Sequence, residues 1–332
     1  IVLAETYEII GRYQDVVDSL SAYLSLRPGV IDSYIQEWRG DALVAVGNIS
    51  AAIEAYQIAL STERVGDTLA IEIKIANAYA SQGDHNTAVV AYQDLYNRTS
   101  NEFTKAYLDY QTGQSYSALG QLDQSNAAYL DAVENYPLSY DSYQALIILV
   151  DSGYPVDEFD RGLVDYYAGQ YSLSIAAFER YLLSPAEDAS SAHYNRGLAF
   201  RALGDLDTAI AIWDDVIQNY PEMDHWDDAW EQKAYTQWAY LEQYDLARQT
   251  LLDFVDQNPW HERCAEFLFD AARIAERNRD LALAASIWQR IPPEYPSSAY
   301  GSRAIFLSAI SYYRLGDYQS ALAEFDRYSG AS

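Results

Sequence analysis

The chain has 332 residues, a net charge of −28 and a single cysteine. One thiol excludes an intrachain disulfide, and no apolar run approaches the ~20 residues that a membrane-spanning helix needs. The acid excess repels nucleic acid and anionic lipid, but unevenly: 40 acids and 13 bases fall in residues 1–260, and only 9 and 8 in residues 261–332.

From the N-terminus a ten-residue phrase returns. It reads GRYQDVVDSL from Gly11, GNISAAIEAY from Gly47, GDHNTAVVAY from Gly83 and GQLDQSNAAY from Gly120. It continues as GQYSLSIAAF from Gly169, GDLDTAIAIW from Gly204 and GDYQSALAEF from Gly316, with degenerate copies from Glu242 and Arg279. The steps between these anchors are 36, 36, 37, 49, 35, 38, 37 and 37 residues, the mark of a stacked repeat array. The anchor glycine ends one helix, because it reaches left-handed dihedrals without steric penalty. A small residue and an aromatic four apart, such as Ala209 and Trp213, then share one face of a second helix. Seven residues before the anchor a small residue recurs: Ala4, Gly40, Ala76, Gly113, Gly162, Gly197, Ala272 and Ala309, with Tyr235 the one departure. Pro28, Pro137, Pro185, Pro221, Pro259 and Pro296 stand where each second helix must stop.

This pattern resembles the tetratricopeptide repeat, most fully in AHYNRGLAFRALGDLDTAIAIWDDVIQNYP from Ala192 to Pro221. The resemblance implies an all-α right-handed solenoid of about nine helix pairs, running through residues 1–332 as one continuous array. Repeats one to four take residues 1–137, an insertion takes 138–154, and repeats five to nine take 155–332. The 49-residue step is the one break. There Asp141 is expected to cap an extra helix near 139–151, ended by Ser152 and Gly153. The chain opens inside a first helix and stops just after a second, which reads as a segment of a longer protein. The segment LSYDSYQALIILVDSGYPVDEFDRG and the residues up to Pro185 also resemble the helical region that precedes the catalytic domain of bacterial soluble lytic transglycosylases. That resemblance implies a cell-envelope accessory domain that positions peptidoglycan for a catalytic domain absent from this chain.

Candidate chemistry is sparse. PEMDHWDDAWEQ gathers Glu222, Asp224, His225, Asp227, Asp228 and Glu231. It reads as Asp224 capping a helix with Asp227 and Asp228 in its first turn, where the dipole favours acids, rather than as a metal site. His85 takes a packing slot, His193 starts a first helix and His261 lies in a linker. No EF-hand, CxxC, HExxH, GxGxxG or P-loop spacing is present, so neither catalysis, nor a metal, nor a cofactor is expected.

Binding is the better expectation. In the family resembled, first helices line the concave face. Counting back 10, 6 and 3 residues from the anchors places Tyr110 and Gln114 there, then Phe159 and Tyr166, then Tyr194 and Arg201. Gln232, Thr236 and Ala239 follow, then Phe269 and Arg273, then Phe306 and Tyr313. Such a face suits a protein, a peptide or a glycan strand, with Tyr110, Tyr166 and Tyr194 as stacking residues and the arginines from Arg273 to Arg314 as the seat for an anionic ligand. The family's clamp for acidic C-terminal tails is not expected. Ile73 stands where its lysine belongs, and Tyr107 and Gln111 replace its remaining basic and amide groups.

Overall fold

The structure is a computed structural model and describes residues 1–26, 29, 31–183 and 188–330. Among these the regular structure is entirely helical. There are two compact units, Ile1–Gln170 and Tyr171–Ser332. The first holds α1 (Val2–Ile9), α2 (Tyr13–Leu26), α3 (Asp32–Ala45), α4 (Ile49–Ser61), α5 (Leu69–Ser81), α6 (His85–Arg98), α7 (Glu102–Ala118), α8 (Leu122–Asn135), α9 (Tyr140–Asp151) and α10 (Glu158–Tyr167). The second holds α11 (Tyr171–Tyr181), α12 (Ala189–Leu203), α13 (Leu206–Asn219), α14 (Trp226–Ala239), α15 (Tyr244–Gln257), α16 (Cys264–Arg277), α17 (Leu281–Glu294), α18 (Gly301–Leu315) and α19 (Tyr318–Gly330). Within each unit every helix packs on the next along the chain, which is the solenoid organisation the period predicts. No helix of the described residues is long and apolar enough to cross a membrane.

The repeated phrase has the expected mechanical basis. All seven anchor glycines have positive φ, between +72° and +88°. The residue after the anchor donates its N–H to the carbonyl five residues back, as in Asn48 to Leu43 (2.9 Å), Gln121 to Tyr116 (2.9 Å) and Asp280 to Ala275 (3.0 Å). These bonds satisfy carbonyls that the helix end leaves open. The two degenerate copies keep the left-handed backbone without glycine, with φ +56° at Glu242 and +64° at Arg279. A side chain in that region is disfavoured by roughly 1–2 kcal/mol, partly offset by the entropy glycine loses on folding. Glu242→Gly and Arg279→Gly are therefore each expected to raise stability by about 0.5–1 kcal/mol, read from the urea midpoint. An unchanged or lower midpoint would contradict this.

Packing within a pair follows from the small residue and the aromatic. A Cβ built on Gly197 would lie 2.5 Å from Nε1 of Trp213, and on Gly40 or Gly113 it would run into the ring of Tyr56 or Tyr129. The aromatic of the second helix thus lies directly on the backbone of the first. Ala76, Ala272 and Ala309, which take the same place elsewhere, are fully buried. Pro137, Pro221, Pro259 and Pro296 stand two residues past the ends of α8, α13, α15 and α17. Pro28 and Pro185 lie outside the described residues.

The extra helix is present as α9, but Asp141 does not cap it. Ser139 is the N-cap and its Oγ accepts from the Asp141 N–H at 3.2 Å. Asp141 instead occupies the first turn, where the dipole rewards an acid without requiring a cap bond. The break in the period also has an inner regularity. Gly153 has φ +71°, and Tyr154 donates to Leu149 at 2.9 Å, the same turn as at the anchors. α9 packs on α7 and α8 as a first helix would, and α10 packs back on α9 and α8. The long step therefore resolves into 33 residues from Gly120 to Gly153 and 16 more to Gly169: one further helix pair whose second member is followed by another anchor turn.

Candidate functional site

The one exception among the small residues marks a cleft on the first-helix face. At the turn after α14, Gln243 donates to Gln237 (2.8 Å), reaching back six residues where the other turns reach back five. The turn holds one extra residue, so Ala234 takes the small-residue place and is buried, while Tyr235 is 40% exposed. This corrects the positions counted on α14. Thr236 is fully buried, Gln232 accepts from Arg201 at 2.5 Å, and Glu231, Tyr235 and Trp238 take the outward places. The 38-residue step from Gly204 to Glu242 carried that signal in the sequence.

Glu231, Tyr235 and Trp238 form one wall of a cleft of about 220 Å³, Asp270, Arg273 and Arg277 of α16 the other, with Ala234, Leu251 and Ile274 as its floor. Glu231 is held by Arg263 (2.5 Å), which also binds Asp228 (2.9 Å), Asp227 (3.2 Å) and Glu266 (2.9 Å). The acidic cluster of PEMDHWDDAWEQ is thus organised by an arginine from the next repeat. Asp224 does not cap α14. His225 is the N-cap residue, at φ +60° and without a side-chain cap bond, while its Nδ1 lies 2.9 Å from Asp228. Asp227 and Asp228 do stand in the first turn. Crowding by protein atoms, with Glu266 and Glu231 close by, pushes the Asp270 carboxyl up to about 6. At the other end of the cleft the Arg277 guanidinium lies over the Trp238 ring at 4.7 Å, and Arg273 is 3.9 Å from Glu276.

The expected site residues distribute as follows. In the first unit Tyr110 packs against a core cluster and tilts on Tyr129 at 5.9 Å. Gln114 is exposed, Phe159 is half-buried, and Tyr166 lies edge-on to Tyr167 at 5.3 Å. In the second unit Tyr194 is stacked on His225, at 4.4 Å and 8° between planes, so an internal ring covers one of its faces. Arg201 lies over Tyr235 at 5.4 Å and bonds Gln232. Phe269 is buried under Tyr300 and Arg303. Phe306 packs on Phe325 and Tyr328, and Tyr313 lies edge-on to Tyr318. Arg273 lines the cleft and Arg201 borders it. Tyr235 and Trp238 were missed because the shifted turn hid their register.

Several polar side chains of the first unit pair with one another. Lys74 bonds Glu37 (2.9 Å) and Asp41 (2.7 Å), and Arg64 bonds Glu37 (2.9 Å). Asn77 donates to Tyr107 (2.7 Å) and accepts from Tyr92 (2.8 Å). Between α6, α7 and α8 a cavity of about 490 Å³ holds Asp109 and Asp131 among Gln93, Tyr96 and Tyr116. Burial, and then the neighbouring Asp131, push the Asp109 carboxyl up to about 9. The folded chain therefore holds a proton that the unfolded chain releases near pH 4, and stability falls as pH rises from ~4 towards 9. Asp109→Asn should add at least ~1 kcal/mol at pH 8 and nothing at pH 4, by urea titration at both. An equal effect at the two pH values would refute this.

Tetratricopeptide repeat models match residues 39–102, 159–224 and 239–299, and residues 107–139 and 303–329. No curated protein matches the sequence. Among solved structures, the C-terminal part of a TPR repeat-containing protein from Cytophaga hutchinsonii is similar (16% identity, 80% of this chain, 97% of that one, TM-score 0.36). So is a tetratricopeptide repeat protein from Parabacteroides merdae (14%, 84% and 99%, TM-score 0.34). The TPR2AB domain of yeast Sti1 in complex with an HSP90 peptide matches at 18% (77% and 96%, TM-score 0.31). These likenesses concern fold alone, and nothing in the comparisons supports the resemblance to lytic transglycosylases. With matched segments over more than half its length, and with left-handed anchor turns and small-on-aromatic packing recurring along it, the chain belongs to the tetratricopeptide repeat family.

Proposed function

We propose that this chain is a protein-binding scaffold, and that its cleft between α14 and α16 takes an extended peptide segment of the partner. Membership of a repeat family built to present helix faces supports the coarser reading. The finer reading is carried by one observation: Tyr235 and Trp238, beside Arg273 and Arg277, open onto a shaped cleft. Aromatic and arginine side chains dominate the energetics of peptide and protein recognition. On other first helices Glu37, Asp41, Asn77 and Tyr194 are engaged by neighbouring side chains. The shared chemistry of Tyr235 and the two guanidinium groups fits a peptide backbone with one apolar or aromatic side chain between polar ones.

The test is selection of peptides from a random displayed library on the purified chain, followed by titration against Tyr235→Ala. A weakening of about tenfold or more, with unchanged helical circular dichroism, is expected. Selected peptides that bind the variant as tightly as the parent would remove the cleft from consideration.

A further inference from the structure

The cleft is electrically bipolar along its length. On α16 Glu266, Asp270, Arg273 and Arg277 stand at helical spacing on one face, acids in the N-terminal half and bases in the C-terminal half. The facing helix repeats the order in part: Glu231 stands level with Asp270, and Trp238, under Arg277, stands at the other end. Seven residues separate Asp270 from Arg277, a rise of about 10 Å on a helix. From this geometry we propose that the cleft recognises a basic and an acidic side chain three residues apart on an extended, polyproline-like peptide, the basic group at Asp270 and the acidic group at Arg273 and Arg277. In that conformation residues i and i+3 point the same way and are separated by about 9 Å, which matches the two poles. The inference rests on the peptide-cleft reading above and supplies its ligand chemistry.

Charge complementarity chooses this ligand over the alternatives. A wholly acidic segment would meet Asp270 and Glu231 at one end, on a chain whose net charge is −28. A wholly basic one would meet the two guanidinium groups at the other. A free amino acid carries its charges too close together to reach both poles. Orientation along the cleft follows from the same polarity, since the acidic member has bidentate partners only at the arginine end.

The experiment titrates four capped peptides against the chain by fluorescence anisotropy at low salt. Their central sequences are Arg-Pro-Pro-Glu, Gln-Pro-Pro-Glu, Arg-Pro-Pro-Gln and, for spacing, Arg-Pro-Pro-Pro-Pro-Glu. The first is expected to bind at least fivefold more tightly than the other three. Asp270→Asn should erase the advantage of arginine over glutamine, and Arg273→Gln/Arg277→Gln the advantage of glutamate. Affinities within twofold of one another, or preferences that survive both variants, would overturn the charge-pair inference. Library peptides that still lose binding in Tyr235→Ala would then leave the peptide-cleft reading standing. No binding of any of the four peptides at millimolar concentration overturns the inference, and if library peptides ignore Tyr235→Ala as well, the underlying reading falls with it.

Discussion

Trp213→Ala is expected to destabilise the second unit by about 3–5 kcal/mol, a large share of the stability of an ordinary domain. The indole is fully buried. It fills the space over Gly197 and packs in a cluster with Ala209, Val216 and Ala229. Its Nε1 donates to the Tyr194 carbonyl at 3.3 Å, and the Arg201 guanidinium lies over its ring at 5.4 Å. None of these neighbours can close the cavity, because two of them are alanines and the opposing helix presents bare backbone. The companion change isolates the mechanism. Gly197→Ala alone should destabilise by about 1–3 kcal/mol through overpacking, but in the Trp213→Ala background the added methyl enters empty space and should be neutral or stabilising. A double-mutant cycle by urea denaturation reads the coupling. If Gly197→Ala has the same effect in both backgrounds, close packing of indole on glycine is not what holds the pair together.

The second large effect is predicted for Arg263→Met. Methionine keeps an unbranched apolar side chain but removes the guanidinium, which lies over Phe267 at 4.7 Å and among Asp227, Asp228, Glu231 and Glu266. Arg263 is largely buried and its partners are a third or more exposed for the most part. The loss is therefore placed at about 2–3 kcal/mol, between the values for buried and exposed pairs. It should shrink by roughly half in 1 M salt, where the Debye length is near 3 Å. The Asp228 carboxyl is held below its usual range, first by the His225 hydrogen bond and also by Arg263. A group with a depressed folded pKa contributes stability that is present above its unfolded pKa and is lost as pH falls through the folded one. The difference between parent and variant should accordingly narrow below pH 4. A deficit that ignores both salt and acid would mean lost packing rather than four unbalanced carboxylates.

Much of the fold was legible because a turn imposes a residue. Left-handed dihedrals select glycine, and seven of nine anchors comply. The inserted helix was legible as an element but not as half of a pair. After Gly153 the phrase positions that elsewhere hold alanine and an aromatic are Glu158 and Gly162, so the turn geometry persists where its sequence companions do not. The cap expected at Asp141 fell to an acid's being welcome at the cap and in the first turn alike, and that at Asp224 to a helix start one residue later, at His225. The first-helix face was the least legible part. An aromatic there can point into a cleft or cover a neighbour, as Tyr194 covers His225, and a single extra residue in a turn exchanges Thr236 for Tyr235. That shift alters no composition and almost no periodicity, yet it determines which side chains a ligand would meet.

Glu242 and Arg279 show that what is inherited from repeat to repeat is a bond pattern, not a letter. Each anchor turn is fixed by backbone hydrogen bonds and by the helices on either side, so its vertex tolerates a side chain at a penalty the neighbouring interfaces absorb. Those vertices are solvent-facing places whose residue is open to drift once the array is long enough to hold the turn by itself. A lineage can therefore rewrite the charge along that edge one turn at a time without renegotiating the interior.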